Sequence, residues 1–197
     1  MPTIQFDSPL ERRESAVLGM WLFLATEVLF FGPLFFGYVH SRLADHQAFV
    51  SGSHHMHFWL GTLNTAVLLT SSLTMALAVQ AAERGRKVLR ILLLITAGLG
   101  LAFLCIKGYE YASEMPEVTR AKGGEQVFYL LYFAMTGLHA IHLIIGVSLV
   151  GWLWHTARRY GERYYMPVEV VGLYWHFVDA VWLFLYPMFY LLERYSA

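Results

Sequence analysis

Five stretches of the chain remain mainly apolar over 24 residues or more: 16–39, 58–82, 88–112, 127–154 and 168–192. Each exceeds the ~20 residues that an α-helix needs to cross the hydrocarbon of a bilayer. Strands of a barrel would be ~10 residues long and would alternate in polarity, which these runs do not. In lipid the backbone must satisfy its own hydrogen bonds, so the pattern predicts an all-α membrane protein, a bundle of five transmembrane helices. The polar start "MPTIQFDSPLERRE" precedes a first run too long for a signal-peptide core, and that run is read as a retained helix. The expected organisation is an N-terminal segment 1–15 followed by one transmembrane domain, 16–193. Pro33 and Pro187 interrupt the first and last runs near their far ends, where neighbours can absorb a kink. The second run, "LGTLNTAVLLTSSLTMALA", is rich in small residues that let helices approach closely, and is expected at the centre of the bundle.

Charge orients this bundle. Arg12, Arg13, Arg84, Arg86, Lys87, Arg90, Arg158, Arg159 and Arg163 fall on the N-terminal side, against Arg42, Arg120, Lys122 and Arg194 on the other. Cationic flanks stay cytoplasmic, so the N-terminus is expected inside and the C-terminus outside, with the loop "SGSHHMHFW" facing outward. Composition adds limits. With 57% hydrophobic and 14% charged residues, the five runs leave no room for a separate soluble catalytic module. The formal net charge of +0 gives nucleic-acid binding no electrostatic support. The single cysteine, Cys105, lies in an apolar run and has no internal disulfide partner.

Candidate chemistry resides in the polar residues placed in oil. Glu27, His139, His142, His176 and Asp179 fall within the runs. An ionisable group at the bilayer centre costs ~2.5–3.5 kcal/mol on insertion scales and normally faces a partner inside the bundle. His139 and His142 are three apart, as are His176 and Asp179, which puts each pair on one helical face. A shared polar layer between the first, fourth and fifth helices would satisfy all five residues. It has three readings: interhelical hydrogen bonds that fix packing, a proton or ion route, or ligation of a metal or haem by the histidines. Lys107 and Glu110, also three apart, read as a local ion pair near the outer end of the third helix. His54, His55 and His57 have no fixed geometry for a metal in the outer loop. Tyr38, Trp59, Tyr132, Trp154 and Tyr190 fit interfacial belts.

These stretches together resemble a known family. "YWHFVDAVWLFLY" is similar to the last helix of subunit III of the haem-copper oxidases, the cytochrome c oxidase branch in particular. "GMWLFLATEVLFFGPLFFGYVHSRL" resembles that family's helix with a membrane-embedded glutamate, here Glu27, followed by its His-Ser at His40 and Ser41. "LGTLNTAVLLTSS" resembles the next helix, "GYEYASE" carries Glu110 at the family's acidic position, and "AMTGLHAIHLIIG" carries His139 and His142. The resemblance runs in order from about Glu14 to Glu193, without the two N-terminal helices of the common seven-helix form, as in five-helix bacterial members.

The resemblance implies a non-catalytic subunit of an oxygen-reducing, proton-translocating complex in the bacterial inner membrane. No cofactor is expected in this chain, haem and copper residing in partner subunits. Subunit I would be the direct packing partner, with subunit II and small subunits nearby. The implied roles are protection of subunit I from turnover inactivation and support of proton uptake. The seven-helix form holds phospholipid in a cleft against the two helices absent here, so an ordered cleft in this chain would need a partner's helices as its wall. Bound phospholipid and a larger respiratory supercomplex are left open by the resemblance. A quinol oxidase subunit III, an accessory protein of nitric oxide reductase and an independent transporter are the alternatives.

Overall fold

The computed structural model describes residues 9–161 and 164–192. Arg163, Arg194 and the outer boundary of the expected domain at Glu193 lie outside the described residues, as does the side chain of His55. The chain forms α1 (Pro9–Ala44), α2 (His46–His55), α3 (Phe58–Glu83), α4 (Leu89–Arg120), α5 (Gly124–Thr156) and α6 (Met166–Tyr186), the last continuing as a π-helix over Pro187–Leu191. Five of these helices are long and apolar enough to cross a membrane, and they coincide with the five apolar runs. Several extend past those runs, because hydrophobicity marks the hydrocarbon and not the end of a helix.

α2 corrects the expectation of an outer loop, since residues 51–55 of "SGSHHMHFW" belong to it. Asp45 caps its start, Oδ1 accepting from the Ala48 N–H at 3.2 Å. Phe49 on its inner face is buried against the rings of Tyr38 and Phe128. The link between α3 and α4 is a Schellman turn. Arg86 N–H donates to Ala81 O at 2.8 Å and Gly85 N–H to Ala82 O at 3.1 Å, with Gly85 at φ 58°.

The centre of the bundle is α6, not α3 as the small residues suggested. Of the residues in its most apolar window 56% are buried, against 33% for α3 and 11% for α1. The small residues of α3 are instead what admits the large rings of α6. Trp175 Nε1 donates to Ser71 Oγ at 2.9 Å and Trp182 Nε1 to Thr65 Oγ1 at 3.0 Å. The Tyr186 hydroxyl meets Thr62 Oγ1 at 2.7 Å, completing an antiparallel ladder of aromatic-to-hydroxyl bonds between the two helices. On α4, Gly100 is required by close approach: a Cβ there would lie 2.8 Å from both Trp175 Cη2 and Val147 Cγ2.

Pro187 does more than kink the last helix. Having no N–H, it interrupts the α ladder, and the widened turn closes with Leu192 N–H donating to Pro187 O at 2.9 Å. Two carbonyls of this last turn also accept from other elements. Tyr38 on α1 donates to Met188 O at 2.5 Å and Ser53 on α2 to Phe189 O at 3.1 Å.

Candidate functional site

Two polar pairs inside the bundle carry the geometry. The first joins α1 to α5, with His142 Nε2 and Glu27 Oε2 3.0 Å apart and the two side chains 14% and 16% exposed. His142 Nδ1 lies 2.8 Å from Leu138 O. A carbonyl only accepts, so Nδ1 carries a hydrogen. One further proton must then sit between Nε2 and Oε2, because two bare lone pairs would repel at that distance. Phe31 stacks at a tilt beside the imidazole, its centroid 5.3 Å away.

The second pair is far more than a local contact near a helix end. Lys107 and Glu110 are 3% and 0% exposed. The three hydrogens of the Lys107 ammonium go to Glu110 Oε2 at 3.1 Å, Tyr132 Oη at 2.9 Å and Tyr190 Oη at 2.9 Å. Both phenols donate in turn to Glu110 Oε1, that of Tyr132 at 2.9 Å. The rings of Tyr111, Tyr132, Trp182 and Tyr190 surround the cation, their centroids 4.8 to 5.5 Å from Nζ. Tyr111 is held by Thr136, whose only hydroxyl proton goes to Tyr132 O at 2.6 Å, so Tyr111 is the donor in their 2.6 Å bond. Tyr38, Tyr132 and Tyr190 are therefore core residues, not members of an interfacial belt, while Trp59 is exposed as a belt residue should be. Each of these phenols has an internal acceptor, and a buried hydroxyl so satisfied has no need of the interface.

The other expected residues disperse. His176 turns to α3, its Nδ1 2.8 Å from Ser72 Oγ, instead of pairing with Asp179. Ser72 is also the polar neighbour of the Asp179 carboxyl, whose two oxygens are buried and make no hydrogen bond. His139 is buried with neither ring nitrogen bonded, set between Phe103 and Trp182 at centroid distances of 5.5 and 5.3 Å. Asn64 on α3 is a third buried polar group without a bond, marked in the sequence only by its place among small residues. His40 is exposed and stacks on Phe36. His54 is exposed, and His57 Nε2 lies 3.9 Å from Glu114 Oε1.

The polar residues thus form separate fastenings and not one layer shared by α1, α5 and α6. Nor do they fit a haem or metal ligand set: both nitrogens of His142 are engaged, His139 is walled in by two rings, and His176 points to a serine of another helix. Among the described residues, no three His, Cys, Asp or Glu side chains come together in a way that could hold a metal.

α1 is fastened at three levels. Arg13 grips Glu169 of α6 through two bonds of 2.7 and 2.6 Å, Glu27 meets His142, and Tyr38 reaches the π-helix. Between these levels α1 and α6 leave two adjoining apolar hollows of about 650 and 340 Å³, both touching Val28 and Phe177. His176 lines the larger.

Comparison with known proteins places this geometry in context. The family model described as Cytochrome c oxidase subunit III matches residues 10–194. Cytochrome c oxidase subunit 3 of Thermostichus vulcanus is 32% identical over 197 residues, covering 98% of this chain and 94% of that protein. The subunit 3 of Drosophila melanogaster is 34% identical over 181 residues, and that of Lemur catta 33% over 187. The chain spans 67% and 66% of those two animal proteins, about two thirds of their length.

Proposed function

The chain belongs to the cytochrome c oxidase subunit III family, and from that premise we propose that it is the non-catalytic subunit III of a haem-copper terminal oxidase, seated in a bacterial cytoplasmic membrane. It packs on subunit I, with subunit II in the same complex, and those partners hold the haem and copper and reduce oxygen. Its own contribution is to steady subunit I during turnover and to support proton uptake. The names of the relatives favour this reading over a quinol oxidase subunit or a nitric oxide reductase accessory.

The observation that carries the non-catalytic role is how the buried polar groups are used. The Lys107 hydrogens and both nitrogens of His142 are committed to residues on other turns or helices of the same chain. Side chains so engaged fasten helices together. The sparsely buried α1, with its hollows against α6, supports a docking role by presenting apolar surface outward.

The test is to purify the chain alone and within its complex. The complex is expected to show haem spectra and oxygen reduction, and the isolated chain no Soret band and no oxidase activity. Stoichiometric haem retained by the isolated chain would overturn the reading. The proposed topology is N-in and C-out, resting on the surplus of basic residues beside the N-terminus. A reporter fused after Ala197 is expected outside, and a cytoplasmic signal from it would refute the charge argument.

A further inference from the structure

The turn between α3 and α4 carries a charge pattern that fastening the bundle does not use. A hollow of about 230 Å³ opens beside it, lined by Leu77, Gln80, Ala81, Arg84, Arg86, Val88 and Leu92. Both membrane-crossing stretches end here, Phe58–Glu83 from one side and Leu89–Arg120 from the other. The hollow therefore lies at the edge of the hydrocarbon, with a hydrocarbon-like floor and a mouth made by two arginines. Leu77 and Val88 remain 43% and 41% exposed, so this part of the floor is open to its surroundings, while Ala81 is buried.

Charge at the mouth is one-sided. Among the described residues, no carboxylate lines the hollow. Lys87 is exposed on the same turn, and Arg90 stands over the Trp154 ring at 5.0 Å. Among the described residues, Arg84, Arg86 and Lys87 form no ion pair. The Schellman turn fixes the positions of both arginines along the mouth.

We propose that this hollow is a binding site for one anionic phospholipid, its phosphate held by Arg84 and Arg86 and the start of one acyl chain laid against Leu77, Ala81, Val88 and Leu92. A guanidinium presents paired N–H donors that match phosphate oxygens. Basic pockets between membrane helices at the cytoplasmic side suit anionic headgroups for this reason. A soluble phosphate would satisfy the mouth and leave the apolar floor wet, and a zwitterionic headgroup would bring its own cation against the two arginines. The site is separate from the hollows between α1 and α6, and it rests on membrane insertion and the proposed N-in topology, not on the identity of any partner subunit.

The experiment is native mass spectrometry of the full chain in micelles titrated with phosphatidylglycerol or phosphatidylcholine. One tightly held phosphatidylglycerol per chain is expected, with phosphatidylcholine lost. The Arg84→Gln/Arg86→Gln double variant should weaken its retention about 30-fold, the effect of two basic groups at an anionic surface, while Arg84→Lys/Arg86→Lys keeps most of it. Val88→Trp, which fills the floor but leaves both arginines, should also lose the lipid. Arg120→Gln/Lys122→Gln at the opposite end should change nothing, and millimolar glycerol phosphate should not displace the lipid. Equal retention of the two lipids, or unchanged retention in either the double Gln variant or Val88→Trp, would overturn the site. Displacement by glycerol phosphate would show a plain phosphate site and overturn the assignment to a lipid. Circular dichroism of each variant guards against loss of fold being read as loss of binding.

Discussion

Replacing Lys107 by Met, or Glu110 by Leu, is expected to destabilise the bundle by about 3–5 kcal/mol, because either change leaves the other charge buried and uncompensated. The double variant is expected to recover most of that loss. It removes both charges together, and the Tyr132 and Tyr190 hydroxyls, 3.3 Å apart, can still bond each other. Replacement of a whole buried ion pair by apolar residues of similar volume is often neutral or stabilising. Unfolding of the four chains in mixed micelles gives the coupling directly as a double-mutant cycle. Strictly additive losses would mean that the two residues do not act as a unit, and the central role given to this cluster would fail.

At the other fastening, Glu27→Leu is expected to cost about 1.5–3 kcal/mol, the range for a hydrogen bond involving a charged group. It strands His142 Nε2 while Leu138 still holds Nδ1. Glu27→Gln behaves differently. Its amide can donate to the bare Nε2, so the link between α1 and α5 survives, but the proton shared by the original pair is gone. Assembly and steady-state turnover of the complex should then change little, and any effect should appear in the rate of proton uptake. Loss of all proton pumping in a fully assembled Glu27→Gln complex would show that the carboxyl is part of an obligatory path.

The five spans were legible because bilayer thickness imposes a length on any apolar run, and no later folding event can change it. The short α2 was not, since "HQAFVSGSHH" is polar and its helix depends on the Asp45 cap and on burial of Phe49. The residues of the Lys107 cluster were visible, but not their importance. Spacing links Lys107 to Glu110 three positions away, whereas the groups that complete the network lie 25 and 83 positions away. Tyr132 and Tyr190 read as interfacial residues because sequence reveals a phenol but not its acceptor. Glu27 and His142 were both recognised as needing a partner, and only the packing of α1 on α5 shows that they meet each other. For Asp179, the i, i+3 spacing from His176 suggested a pair that the orientation of His176 toward Ser72 does not form.

The order of these residues along the chain also sets a schedule for biosynthesis. Lys107 and Glu110 enter the bilayer on α4, yet the hydroxyl of Tyr190 belongs to a segment made 83 positions later. At ~5–20 residues per second, translation separates the pair from that partner by roughly 4–17 s. During this interval the cation and carboxylate have at most each other and the Tyr132 hydroxyl for company. Nascent chains that stop before Pro187 would therefore carry an unfinished charge cage in lipid.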